Sequence, residues 1–405
     1  MDRWTSEPAG ELPPHGRPTV SWQQAIRGGS KADRMLREVE TRVPPKISKR
    51  AFTLPADLIA ANERALGALG AMDAEATGQP RAFARFLIRS ESVASSKIER
   101  VSASVDDFAR AIAGNRSNAS AVSMVAGAAA LNALVESAGQ SGRIERSDLV
   151  RAHAALMRDD PDEGPYAGTV REDQNWIGGS DHSPLGAIYV PPPADLLDEL
   201  LDDLIAFANR DDLPTLLQAT VAHAQFESIH PFGDGNGRIG RALIGAILRR
   251  RGVTTNTVVP VASGLLARRD GYFDALGDYR EGNLTPLLSV MLTSATVAAE
   301  EGRVSVQRIK ELPADWAERT GARRGSTAAA LLPAFFDNPV MNADEVEQIV
   351  GTAAQSVYTA LARLEADGIV QEITGRKRNR VWAATDLMGE LTALDGRIAA
   401  RMKHR

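Results

Sequence analysis

The sequence predicts a mainly α-helical protein: a helical bundle with a small β-hairpin flap, followed by a C-terminal winged helix-turn-helix domain. Three observations lead there. Apolar residues recur at helical spacing over most of the chain, one Gly-, Pro- and Asp-rich stretch breaks that pattern with short β-favouring pieces, and the last third reads as short helices followed by strand–turn–strand. At 405 residues the chain exceeds one small core, so two or three domains are expected. Hydrophobic residues make up 43% and charged residues 24%, which excludes wholesale disorder. A net charge of -5 excludes a chain that coats nucleic acid along its length, but leaves room for one basic patch. The absence of cysteine removes disulfide and thiolate chemistry and fits a reducing cytoplasm.

Residues 1–50 are rich in Pro, Gly and charge with isolated Trp4 and Trp22, and read as an arm that packs locally. Segment 1–16 has no apolar run suited to a secretory signal. The helical pattern begins near Pro55 with Leu58, Ile59, Ala65, Leu66 and Leu69. It continues through Phe83, Phe86, Leu87, Phe108, Ile112, Leu149, His153 and Leu156, with stops at Gly114-Asn115 and 139–142. The most lipid-like stretch, 119–138, contains Ser120, Ser123, Asn132 and Glu136. It falls short of the roughly 20 unbroken apolar residues of a membrane span, so a buried Ala-rich helix and no membrane partner are expected. Between Asp159 and Pro193 the pieces 169–171 and 187–190 suggest a hairpin or flap. Helices are expected again at 195–208, 213–229, 238–251, 268–279 and 284–300. The tail adds helices at 328–336, 343–350 and 354–368, then 369–373, a turn at 374–379 and 380–382.

The segment His230-Pro231-Phe232-Gly233-Asp234-Gly235-Asn236-Gly237-Arg238-Ile239-Gly240-Arg241 lies between two helical patterns. Pro231 stops the first helix, and Asn236 is a candidate cap for the second. The glycines allow a tight turn and a close ligand approach, and the free amides opening the second helix make an anion site. Arg238 and Arg241, three apart, share a helix side and suit phosphate oxygens. Asp234 offers the hard oxygen that Mg2+ prefers, and His230 has a side chain able to take a hydroxyl proton near neutrality. Each residue alone has an ordinary structural explanation; their coincidence in one loop points to a metal–polyphosphate site with a positioned base. His223 and His230, seven apart, lack the spacing of a metallohydrolase pair.

This run is similar at every fixed position to the motif HPFxDGNGRxxR of the Fic (Fido) family, and 223–229 resembles the helix that leads into it. The resemblance extends over most of 55–300, and a winged-helix tail is a common companion in the family. It implies a Fic-type helical core that transfers AMP from ATP to a Ser, Thr or Tyr hydroxyl of a target protein. His230 would deprotonate the hydroxyl, Asp234 would hold Mg2+, and Gly235, Asn236 and Gly237 would form an anion nest. Arg238 would contact the phosphate chain and Arg241 would grip its γ end. Ile177, Gly178 and Gly179 through Ile188 and Tyr189 resemble the flap that takes a target's backbone as an added strand. Tyr272 and Phe273 resemble an aromatic pair near the adenine.

Ser95 to Glu99 resembles the family's inhibitory motif, [ST]xxxE followed by Gly or Asn, with Arg100 departing from it. Ser95 and Glu99 are four apart, hence on one helical face; the resemblance pairs Glu99 with Arg241, a charge pair that would block the γ-phosphate grip. The expected division is an arm at 1–50, helices including the inhibitory one at 51–140 and a catalytic core at 141–300. A linker helix at 301–326 and the winged helix with a C-terminal helix at 327–405 complete it. Arg376, Lys377 and Arg378 would form a basic wing for DNA, although such domains serve protein docking and homodimerisation as well. Three other readings stay open: a different nucleotide donor, AMP removal, and a DNA-binding regulator whose Fic core is a sensor.

Overall fold

Helices fill most of the chain in a computed structural model that describes residues 12–24, 28–77, 81–351, 354–376 and 380–404. Two compact units form, each from separate segments: Met1–Ala65, Ala130–Gly252 and Arg269–Leu292 in one, Leu66–Ala129, Val253–Arg268 and Thr293–Arg405 in the other.

At the centre of the first unit lies Thr215–Ile229, a helix with every residue buried. It packs against Asn236–Arg250 and Leu197–Ala208. The helix Arg269–Arg280 sends Tyr279 into this core, where its hydroxyl donates to Gln225 Oε1 at 2.7 Å. From Leu12 onward the N-terminal arm is held by regular pairing. Thr19–Ser21 and Glu38–Glu40 form an antiparallel ribbon with Val20 opposite Val39. Leu12 donates its N–H to Gly282 at 2.7 Å and His15 donates to Arg280 at 2.9 Å. Three-residue strands are too short to show alternation, so the sequence pattern missed them. Trp22 meets Trp176 edge to face at 5.4 Å, and Trp4 lies outside the described residues.

The second unit contains the helix Arg81–Ile98, packed on Val261–Ala267 and Thr385–Lys403. Glu91 accepts the N–H of Ala262 at 2.8 Å, and Asp395 accepts from Ser263 Oγ at 2.8 Å and pairs with Lys97 at 3.2 Å. The C-terminal segment runs Thr327–Asp337 (helix), Val340–Asn342 (strand), Ala343–Val350 and Ala354–Ala366 (helices), then strands Val370–Glu372 and Val381–Ala384. The last strand lies between the other two, antiparallel to both. The strand Val340–Asn342 escaped the sequence reading because it runs directly into its own helix cap: Asn342 accepts from Glu345 N while Glu345 accepts from Asn342 N.

Two sequence expectations are corrected here. The helix expected to end at residue 300, with a separate linker at 301–326, is one 36-residue helix, Thr285–Thr320, which runs through Gly302 and Pro313. Gly302 interrupts nothing, because its missing side chain is used: a Cβ there would lie 2.6 Å from Met72 Sδ. The Ala-rich stretch forms the helix Ala119–Ser141, which is long and apolar enough by length and composition to cross a membrane. Its expected burial holds along one face only, at Ala121, Met124, Leu131, Leu134, Val135 and Ala138, while Ala119, Ala129, Ala133 and Glu136 are exposed.

In the second unit, Asp73 on the helix Ala56–Ala76 accepts the main-chain N–H of Thr255 (2.9 Å), Asn256 (2.9 Å) and Thr257 (3.0 Å). The Thr255 and Thr257 hydroxyls add bonds of 2.7 and 3.0 Å. Burial pushes this carboxyl up, but the hydrogen bonds outweigh it and hold it below the usual carboxylate range. A carboxyl lowered by folding stabilises the fold above its unfolded value, and that contribution is lost as pH falls through its folded value. Asp73→Ala strands several buried donors, and urea unfolding at neutral pH is expected to record a loss of about 3 kcal/mol. The difference from wild type should shrink below about pH 4.

Candidate active site

The chain leaves one buried helix at Ile229 and enters another at Asn236. His230 makes the exit in a left-handed conformation (φ 51°, ψ 59°), its N–H donating to Phe226 O at 2.9 Å. A left-handed residue other than Gly costs about 1 kcal/mol, and the following Pro231 already disfavours the right-handed alternative. Gly235 makes the entry, also left-handed (φ 75°), and is the N-cap. Asn236, the candidate cap, is instead the first helical residue, because its side chain is used within the loop. Its Oδ1 accepts from Phe232 N at 2.9 Å and its Nδ2 donates to Phe232 O at 2.8 Å.

Side chains from distant segments satisfy the rest of the loop. Asn175 Nδ2 donates to Phe232 O at 3.0 Å, Arg171 Nε donates to His230 O at 2.9 Å, and Arg171 N donates to Pro231 O at 3.0 Å. His153, on the helix Arg146–Met157, stacks flat on Phe232 with ring centroids 3.8 Å apart. Its Nδ1 accepts from Gly168 N at 2.9 Å, so the ring proton sits on Nε2, which donates to Asp234 O at 3.1 Å. That tautomer is neutral, and burial lowers the imidazole to about 4. The sequence pattern placed His153 on an apolar helix face and Arg171 in a β-favouring piece. Neither carries a local signal of this role.

The charged side chains follow. Asp234, 62% exposed, meets Arg238 at 3.3 Å, and Arg238 is nearly buried. Arg241 is 1% exposed and has Glu227 at 3.9 Å. Glu163 lies beside Gly233; burial and the nearby Asp234, Asp160 and Asp162 push its carboxyl up. Among the described residues no group of three or more His, Asp or Glu side chains is placed to hold a metal alone. One open carboxylate fits a cation that takes most ligands from phosphate and water. The first amides of Asn236–Arg250 and the Arg238 guanidinium together suit an anion.

The flap closes on a single bridge, Ile177 with Tyr189, in which Ile177 N donates to Tyr189 O and Ile188 N to Ile177 O, both at 2.8 Å. The expected piece 169–171 forms no strand. Gly178 and Gly179 are both left-handed; a Cβ on Gly179 would lie 2.6 Å from Ala187 N, so the tight return needs glycine. Ile188 is 83% exposed. Tyr189 is placed otherwise: it is buried, donates to Ser228 O at 2.7 Å and lies under the Arg280 guanidinium. Its side chain anchors the flap within the first unit.

Tyr272 is fully buried with its hydroxyl 2.8 Å from His223 Nε2, whereas Phe273 is partly exposed beneath Arg269. In the second unit Ser95 is buried within Arg81–Ile98 and Glu99 is exposed in the turn that follows, one residue past the helix expected to carry both. Arg100 is left-handed (φ 61°), a conformation that favours Gly or Asn, the residues the resembled motif has there. Arg376 is exposed; Lys377 and Arg378 lie outside the described residues.

Residues 143–248, which include the whole 230–241 run, match the Fic/DOC family. A probable protein adenylyltransferase from Aquifex aeolicus (strain VF5) is 35% identical over 104 residues, 25% of this chain and 30% of that protein. Protein adenylyltransferase Fic from Drosophila erecta is 29% identical over 153 residues, 37% of this chain and 27% of that protein. The chain thus spans less than a third of the length of these curated relatives. A solved Fic family protein from Desulfovibrio desulfuricans G20 superposes with a TM-score of 0.51 at 23% identity, covering 82% of this chain and 97% of that one, a likeness of fold.

Two outcomes are expected. Because His153 stays neutral in the fold, its contribution is full above its ordinary value of 6.5 and is lost as pH falls toward about 4. His153→Gln should remove about one proton from the slope of unfolding free energy against pH in that window, as read by denaturant titrations at several pH values. Arg100→Gly relieves a left-handed side-chain residue and should stabilise the fold by about 1 kcal/mol in calorimetry.

Proposed function

We propose that this protein is a protein adenylyltransferase that moves AMP from ATP to a Ser, Thr or Tyr hydroxyl of a protein target. The observation that carries the reading is the loop from His230 to Asn236: its main chain is held by buried side chains, with a histidine at one end and a helix N-terminus at the other. Relatives named protein adenylyltransferases, matched over part of this chain, support it.

In this reading the α-phosphate sits over the amides that open Asn236–Arg250, with Arg238 on the phosphate chain and Arg241 toward its γ end. His230 takes the target's hydroxyl proton, the oxygen bonds to the α-phosphorus, and the bond to the β-bridging oxygen breaks with release of pyrophosphate. Asp234 holds the magnesium that accompanies the nucleotide, whose contribution is charge neutralisation. The protein's share is positioning and electrostatics.

Glu99 acts as a brake on transfer, on the strength of the inhibitory motif it completes. The helix before it is held by the C-terminal segment of its own unit: Phe83 packs edge to face on Phe336 at 6.1 Å, Arg85 bonds Asn338 Oδ1 at 2.8 Å, and Lys97 pairs with Asp395. We read 327–384 as a winged helix. Its helix Ala354–Ala366 has one basic side chain, Arg363, which bonds Thr320 O and so favours protein docking over base recognition.

Incubation with α-labelled ATP and magnesium tests the reading. Glu99→Gly should label protein more strongly than wild type, and adding His230→Ala should lower labelling by about 10²- to 10⁴-fold. Label from γ-labelled ATP or another nucleotide in place of α-labelled ATP would reassign the donor. Silence with every donor would favour a sensor.

A further inference from the structure

Arg171 is a buried arginine whose three guanidinium nitrogens all bond main-chain carbonyls. Nε reaches His230 O at 2.9 Å, one terminal nitrogen reaches Asp173 O at 2.8 Å, and the other reaches Pro192 O at 2.6 Å. Its own N–H donates to Pro231 O at 3.0 Å. Burial lowers the guanidinium to about 10, so it keeps its charge at neutral pH. Asp173 and Pro192 bracket the flap, whose bridge joins Ile177 to Tyr189 between them. One rigid fork therefore holds both feet of the flap and the carbonyl of His230.

We infer that Arg171 is a positioning residue that fixes the flap to the His230 turn, so that a target strand docked on the flap presents its hydroxyl to His230 in register. This rests on the adenylyl-transfer reading. The geometry explains why an arginine is needed: three acceptors in three directions match its planar fork, and a lysine ammonium on a flexible stem cannot span them. Gln174 adds a lesser tie, donating to Pro191 O at 2.9 Å without touching His230. The inference separates two duties. Nucleotide binding depends on the loop 234–241, whereas the hydroxyl's position depends on the flap. A displacement of about 1 Å in a reacting group can cost about a hundredfold in rate.

The test uses the full chain with Glu99→Gly as parent, to which Arg171→Lys or Gln174→Ala is added. Hydrogen exchange is followed at the amides of Ile177, Ile188 and Tyr189, with the helix Asn236–Arg250 as the internal control for folding. In Arg171→Lys the flap amides should exchange faster while the control helix stays protected. Transfer to protein should fall by about a hundredfold, well beyond any accompanying loss of ATP affinity. Gln174→Ala should loosen the same amides less and lower transfer less, and it serves if Arg171→Lys does not fold. Unchanged flap exchange in both variants would overturn the inference, and so would an equal loss of transfer and of ATP affinity in a folded variant. If the parent itself transfers no label, the adenylyl reading fails, while the exchange data still decide whether Arg171 ties the flap.

Discussion

Everything at the candidate site depends on one constraint: the main chain between Ile229 and Asn236 joins two buried helices without regular structure of its own, so several of its polar groups need side-chain partners. Four side chains meet the need. Arg171 takes the carbonyl of His230, Asn175 and Asn236 share that of Phe232, and His153 takes that of Asp234. A buried carbonyl left alone costs about 1–3 kcal/mol, comparable to the strain of the left-handed His230. These bonds therefore suffice to hold a turn the chain would otherwise resist.

That rigidity gives the loop its chemical character. A loop whose main chain is held in this way keeps its groups in set places: the Asp234 carboxylate in solvent, the start of Asn236–Arg250 close by, and His230 half-buried at the helix exit. Arg238 and Arg241 are buried although both are charged, and a guanidinium is held dry only where charge or hydrogen bonding compensates. Asp234 and Glu227 supply part of that compensation. A polyphosphate would meet positive groups already desolvated and oriented, so little reorganisation would be needed on binding.

The motif was legible in the sequence because its parts are contiguous: a helix stopper, glycines, a carboxylate and two arginines within one turn and the start of one helix. The framework was not, because its members lie far away. His153 is 81 residues from the carbonyl it holds, Arg171 is 59 from His230, and Asn175 is 57 from Phe232. A single chain offers no periodicity for such pairs. His153 keeps helical spacing with Leu149 and Leu156, and a stacked, neutral histidine is indistinguishable in sequence from a core residue. Long helices were read well, since many residues vote for each. Three-residue strands such as Thr19–Ser21 and Val340–Asn342 were missed, and the helix expected to end at residue 300 runs on to Thr320.

The end of the helix Arg81–Ile98 shows the opposite balance. At His230 a left-handed residue is locked by bonds to both of its main-chain groups. At Arg100 a left-handed residue follows a helix whose body is pinned within its own unit by Glu91 and Lys97, and its own N–H is tied only to Lys97 O. The strain at the two sites is similar, about 1 kcal/mol, but Glu99 and Arg100 are exposed whereas the His230 turn is packed. Main-chain bonds close the turn carrying Glu99, with Glu99 N and Val101 N both donating to Ser96 O at 3.0 Å. A change of about 1–2 kcal/mol, the size of that strain, shifts a two-state population five- to thirtyfold.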